Sequence, residues 1–184
     1  MVVAKYFEED YTQRYTVSDI LAKEFGAAVD AANSTIEAKH LRVSASAGAE
    51  EVHIGQRIVL ALDVDIPPDV HVYAPGVQGY NPIDFAIAES NAITGHPAVY
   101  PPSKTLYLKA IDENVPVYTG QLHMLREVTI ARNVKPGELI IEGTFRYQAC
   151  DDRECFIPET VPLKWMLHVE APDRQRAPSE IQHK

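Results

Sequence analysis

The sequence predicts an all-β sandwich, preceded by a short strand and helix and followed by a polar tail. Three observations carry this prediction. Residues 57–66 alternate, with Ile58, Leu60, Leu62 and Val64 on one face and Val59, Ala61 and Asp63 on the other, which is the period of a half-buried strand. About seven short apolar segments of this kind follow one another between Thr35 and Glu170, too short and too closely spaced for helices. Prolines and glycines fall between them, and evenly punctuated short strands are the pattern of a sandwich.

Taken in order, residues 2–7 read as a strand and 18–25 as a helix. Thr16 or Ser18 caps its first turn, Ile20, Leu21 and Phe25 share a face, and Gly26 stops it. This opening is too small to fold independently and must dock on something. Residues 27–34 are small and polar and read as a linker, so the first unit spans 1–34. The main body spans 35–170. Its strand at 57–66 is broken by Pro67-Pro68-Asp69, and further strands are expected at 70–74, 83–88, 104–110, 121–131, 138–149 and 161–170. Pro75-Gly76, Gly79, Asn81-Pro82, Gly95, Pro101-Pro102, Pro116 and Lys135-Pro136-Gly137 punctuate them. The stripe Leu163, Trp165, Leu167 and Val169 is expected in the core, and residues 171–184 form a polar, loose tail.

A chain of 184 residues is long enough for one well-buried domain with an appendage, and 46% hydrophobic with 23% charged residues is ordinary globular composition. The net charge of -9, without any Lys/Arg run, excludes a nucleic-acid partner. No stretch approaches the roughly 20 apolar residues that cross a bilayer. The first ten residues lack the features of a secretory signal. As written the chain would stay in the cytoplasm, where stable disulfides are uncommon. The expectation that resolves this conflict is a piece of a longer protein whose export signal lay upstream.

The two cysteines, Cys150 and Cys155, are separated by four residues. With antiparallel strands at 143–150 and 155–169, the loop of Asp151, Asp152, Arg153 and Glu154 sets them opposite each other. Opposed positions have Cα atoms about 4.5–5.5 Å apart, so a disulfide is feasible. As a staple it would contribute only roughly 2 kcal/mol, because the ring it closes holds about six residues. An exchange role fits better, with a structural hairpin disulfide as the alternative. A thiolate metal site is the third reading. His71 or His123 would have to supply further ligands, and their expected place is an ordinary one on a strand.

The run Tyr147-Gln148-Ala149-Cys150 through Cys155 to Pro158 resembles the N-terminal domain of the thiol:disulfide interchange protein DsbD. That family has an immunoglobulin-like sandwich with a Tyr-Gln-x-Cys segment, a short loop, a second Cys, a Pro and a final strand. The likeness covers about residues 36 to 170. Asp69-Val70-His71-Val72-Tyr73-Ala74-Pro75-Gly76 resembles the family's early strand, and Pro116-Val117-Tyr118-Thr119-Gly120 resembles the region of its cap. The resemblance implies that Cys150 and Cys155 are the exchanging pair and that a thioredoxin-fold protein is the partner. It further implies an aromatic lid at Tyr118 beside Val117, and a pocket lined by Tyr73 and Tyr147. Taken on its own sequence, Tyr118 reads equally as a strand-edge tyrosine. Some family members carry one more residue between the cysteines.

Residues 2–7 and the helix at 18–25 resemble the last strand and helix of a thioredoxin-fold redoxin domain of the AhpC/TSA type. This implies a fusion of a redoxin domain with a DsbD-like domain, and a periplasmic or otherwise extracytoplasmic location.

Exchange requires a thiolate to attack a disulfide sulfur, so the local field controls its rate. Asp151, Asp152 and Glu154 against Arg153 leave an excess of negative charge, which should disfavour the thiolates until a partner docks. The expected function is a thiol:disulfide exchange module acting with a thioredoxin-fold partner, in cis or in trans. The rival is a non-catalytic sandwich that supports a fused redoxin. Neither reading calls for a cofactor or a metal.

Overall fold

The computed structural model describes residues 34–108 and 112–171. The expected strand at 2–7, the helix at 18–25 and nearly all of the expected linker and tail lie outside the described residues. All regular elements among the described residues are strands. In chain order they are β1 (Ser34–Ala38), β2 (Leu41–Ala47), β3 (Glu51–His53), β4 (Arg57–Asp65), β5 (His71–Tyr73), β6 (Asp84–Ile87) and β7 (Ile93–Val99). There follow β8 (Lys104–Leu108), β9 (Glu113–Tyr118), β10 (Gln121–Ile130), β11 (Gly137–Tyr147), β12 (Ala149–Cys150) and β13 (Glu159–Glu170).

The strands form three sheets, ordered β1-β2-β4-β10-β7, β3-β13-β11-β6 and β12-β5-β9-β8. All pairings are antiparallel except β3 with β13. The first two sheets face each other as an immunoglobulin-like sandwich. The alternation of β4 puts Ile58, Leu60, Leu62 and Val64 into the core, and that of β13 buries Leu163, Trp165, Leu167 and Val169, as period two requires. Trp165 joins the two layers, its indole Nε1 donating to the Ser46 carbonyl at 2.9 Å. Gly143 of β11 is fixed by close approach rather than by flexibility. A Cβ there would stand 2.6 Å from the Ala86 carbonyl oxygen and 3.0 Å from the Trp165 ring.

Prolines expected to break strands are partly absorbed into them. Pro116 lies within β9 opposite Thr105, and its carbonyl still accepts the Ala74 N–H at 3.0 Å. A proline lacks the donor but keeps the acceptor. β7 was not expected, because Gly95 and Pro97 interrupt its pattern. It holds as an edge strand of the first sheet with a register shift opposite Arg126 to Val128, where such residues are tolerated.

The expected strand at 138–149 is divided. β11 ends at Tyr147, which pairs with Glu159 of β13, and Ala149 and Cys150 leave for the third sheet to pair with Val72 and His71 of β5. The strand expected to start at Cys155 starts at Glu159 instead. Residues 148–158 are an excursion from the β11–β13 hairpin, and the excursion carries the cysteines.

The third sheet presents two different faces. Val72, Tyr118 and Ala149 belong to the main core, whereas Tyr73, Val115, Val117 and Cys150 form a small second core. Directly opposed residues share a face and neighbours in sequence do not. The register Cys150 to His71 and Tyr73 to Val117 therefore sets His71, Tyr73, Val117 and Cys150 on one face. At the β9–β10 junction Gly120 adopts a positive φ of 70°, which glycine tolerates without a Cβ penalty. Its carbonyl accepts the Ile66 N–H at 2.9 Å.

Candidate functional site

Cys150 and Cys155 are joined by a disulfide, with their Cα atoms 4.0 Å apart, and face each other across an isolated antiparallel bridge. The loop between them is built by its first residue. Asp151 N–H donates to the Glu154 carbonyl at 2.9 Å, and Asp151 Oδ1 accepts the N–H groups of Arg153 at 2.7 Å and Glu154 at 2.8 Å. These two backbone donors, with that of Glu154 the larger influence, hold the Asp151 carboxyl below the usual carboxylate range. The base of the excursion is closed by Phe156 N–H donating to the Ala149 carbonyl at 2.8 Å. Gln148 Nε2 donates to the Phe156 carbonyl at 2.9 Å, and the Phe156 ring stacks on His40 with centroids 3.8 Å apart.

The two sulfurs differ in access. Cys150 is 1% exposed and belongs to the second core, whereas Cys155 is exposed. Above them lies a cavity of about 520 Å³, walled by the 150–155 excursion on one side, by His71, Tyr73 and Tyr80 below, and by Leu106, Tyr107 and Leu108 of β8 on the other side. The buried Tyr73 hydroxyl lies 3.4 Å from Cys155 Sγ and 3.5 Å from Cys150 Sγ. Neither sulfur carries hydrogen while the bond is closed, so the hydroxyl is the donor. Burial raises the Tyr73 pKa, which keeps that proton in place. Tyr80 stacks on Tyr73 at 4.4 Å. Its own hydroxyl donates to Glu113 at 2.7 Å, a bond that pushes its pKa up to about 12.

His71 is the unexpected member. It is 3% exposed and is the only buried polar or charged residue among the described residues. Its Nε2 is buried without a hydrogen-bond partner. Burial lowers its pKa, and the carboxylates of Asp152 and Asp151 oppose that shift. The sequence had singled it out only as a possible metal ligand. Its register opposite Cys150, two residues before Tyr73, is what brings it to the cavity.

Of the other expected residues, Asp151, Asp152, Arg153 and Glu154 line the cavity, and Tyr73 lies beneath the disulfide. Val117 is on the cysteine face but buried in the second core, and it is not among the residues that line the cavity. Tyr118, one residue on, faces the other way into the main core, and its hydroxyl donates to the Pro101 carbonyl at 2.8 Å. The parity of β9 thus removes it from the position of a lid. Tyr147 also packs in the main core, its hydroxyl 2.6 Å from Glu159 Oε2, with its pKa raised by burial and by that carboxylate. The aromatic and apolar wall opposite the cysteines comes instead from Leu106, Tyr107 and Leu108, which the sequence had placed on a strand without a role. Their period-two pattern alone could not tell a cavity wall from an edge.

No group of His, Cys, Asp and Glu among the described residues is arranged to hold a metal. His123 is occupied elsewhere, its Nδ1 2.6 Å from Asp63 on β4. No helix among the described residues is long and apolar enough to cross a membrane.

The family model of the thiol:disulfide interchange protein DsbD, N-terminal, matches residues 40–164. Among solved structures, the N-terminal periplasmic domain of ScsB from Proteus mirabilis is similar with a TM-score of 0.52 at 11% identity. That match covers 75% of this chain and 51% of that one, so the chain spans about half of its length. The Neisseria meningitidis DsbD N-terminal domain in the reduced form matches with a TM-score of 0.40 at 12% identity, covering 59% of this chain and 80% of that one. No curated protein matches by sequence. The family match covers more than half of the chain and holds the cysteine excursion within it: the chain belongs to the N-terminal domains of the thiol:disulfide interchange protein DsbD.

Proposed function

We propose that this chain is a thiol:disulfide exchange module that passes electrons to or from a thioredoxin-fold partner, separate or fused, through Cys150 and Cys155. The observation that carries the reading is the asymmetry of the disulfide. One sulfur is exposed beside an open cavity and the other is buried behind it, whereas a staple needs neither access nor a cavity. Attack by a partner thiolate is expected at Cys155 Sγ. The S–S electron pair then leaves with Cys150 Sγ, and the Tyr73 hydroxyl stands ready to donate to the thiolate that forms. Leu106, Tyr107 and Leu108 wall the approach, in the role the sequence assigned to Val117 and Tyr118. The acidic loop of Asp151, Asp152 and Glu154 disfavours thiolates until a docked partner offsets its charge. The setting that suits such a pair is periplasmic or otherwise extracytoplasmic.

The test is the reduction potential of the pair, by equilibration in thiol redox buffers and counting of alkylated cysteines by mass. A midpoint between about -180 and -270 mV matches exchange proteins. A value below about -300 mV marks an inert staple and leaves the chain as a non-catalytic interaction module.

A further inference from the structure

His71 is a buried imidazole that stands beside the disulfide. It faces Cys150 directly across the β5–β12 ladder, and opposed residues on antiparallel strands have Cβ atoms about 4.5–5.5 Å apart on the same face. Both side chains line the same cavity. The imidazole is almost wholly buried and its Nε2 has no hydrogen-bond partner. A buried polar atom left unpaired is destabilising, so a second state in which it is paired would be favoured. The disulfide form offers no sulfur proton to accept. The reduced form offers one, on Cys150.

We propose that His71 is the proton acceptor for the Cys150 thiol when that sulfur closes the disulfide onto Cys155, and its proton donor when the bond is opened. The proposal rests on the exchange reading. In the closing direction Cys155 Sγ is joined to the partner in a mixed disulfide and Cys150 carries a proton. Cys150 Sγ–H gives its proton to His71 Nε2, and the resulting thiolate forms the Cys150–Cys155 bond. The partner sulfur leaves as a thiolate with the electron pair of the broken bond, and the imidazolium returns its proton to that thiolate or to solvent. The opening direction runs the same transfers in reverse.

The charged and titratable groups around His71 agree with this use. Asp151, Asp152, Arg153 and Glu154 come from the excursion, Tyr73 packs edge-on from its own strand with ring centroids 5.6 Å apart, and Asp69 lies in the adjoining cleft. Tyr107 on β8 donates to Asp112 and is not free to act on the imidazole. Burial holds the imidazole neutral at rest, the form that accepts a proton, while the two aspartates favour the imidazolium formed in passing.

The test uses the full reduced chain mixed with glutathione disulfide, quenched in acid and read by mass. In the wild type the Cys155–glutathione adduct should form and then resolve to the intramolecular disulfide. His71→Gln should form the adduct at the wild-type rate and resolve it about tenfold or more slowly at neutral pH, a gap that narrows as the pH rises and the thiol ionises unaided. Equal resolving rates at every pH would overturn the role of His71 and leave the exchange reading standing. A wild-type adduct that never resolves would overturn both. Should His71→Gln not fold, the His71 ring nitrogens of the reduced wild type decide by NMR titration. A second step that follows the thiol and vanishes in Cys150→Ser supports the proposal, and a single step unchanged in that variant overturns it.

Discussion

At the scale of single residues, the excursion divides its acidic side chains between two tasks. Asp151 is spent on architecture, since its Oδ1 already accepts two backbone donors. Asp152 has no such bonds among those of the excursion and faces the cavity. The expectation that both aspartates slow the thiols electrostatically is therefore best tested at the second alone. Asp152→Asn should raise the rate at which iodoacetamide alkylates reduced Cys155 at neutral pH, by about two- to threefold for one charge at partly solvated range. An unchanged rate would remove the electrostatic argument. The cysteine pair and its acidic loop were legible in the sequence because they are contiguous. His71 and the β8 wall were not, because what unites them with the cysteines is strand register across the third sheet.

At the scale of elements, alternation was the dependable signal and strand ends were not. β4 and β13 follow their apolar stripes. The division of 138–149 into β11 and β12 has no counterpart in hydropathy, since Tyr147, Ala149 and Cys150 are all buried, though in two different cores. Tyr118 shows the same limit. One step of parity separates a lid from a core residue, and only the pairing of Val72 with Tyr118 fixes it. The β11–β13 pairing also makes a sharp prediction at Gly143, where a Cβ would strike the Ala86 carbonyl and the Trp165 ring. Gly143→Ala should destabilise the sandwich by about 1–3 kcal/mol in urea unfolding, with the m-value unchanged. A neutral effect would mean that β6 yields easily.

At the scale of the whole molecule, the site reports on the stability of the fold through proton linkage. The His71 pKa in the folded chain lies below its ordinary 6.5, so between the two values the unfolded chain binds more protons. The stability associated with a neutral His71 is complete above pH 6.5 and is lost as the pH falls through the folded value. Asp151 contributes in a separate, lower window, present above 3.8 and lost as the pH falls through its depressed folded value. Urea midpoints should therefore decline as the pH falls below about 6.5 in the wild type, and the decline should be shallower in His71→Gln. Parallel curves would place the acid sensitivity elsewhere. The sandwich class, the main core stripes and the cysteine pair were settled by local sequence, because alternation and spacing are properties of neighbouring residues. The cavity, the buried partner of Cys150 and the unequal access to the two sulfurs arise from pairing between strands far apart in the chain, where a shift of one residue would turn each side chain to the opposite face.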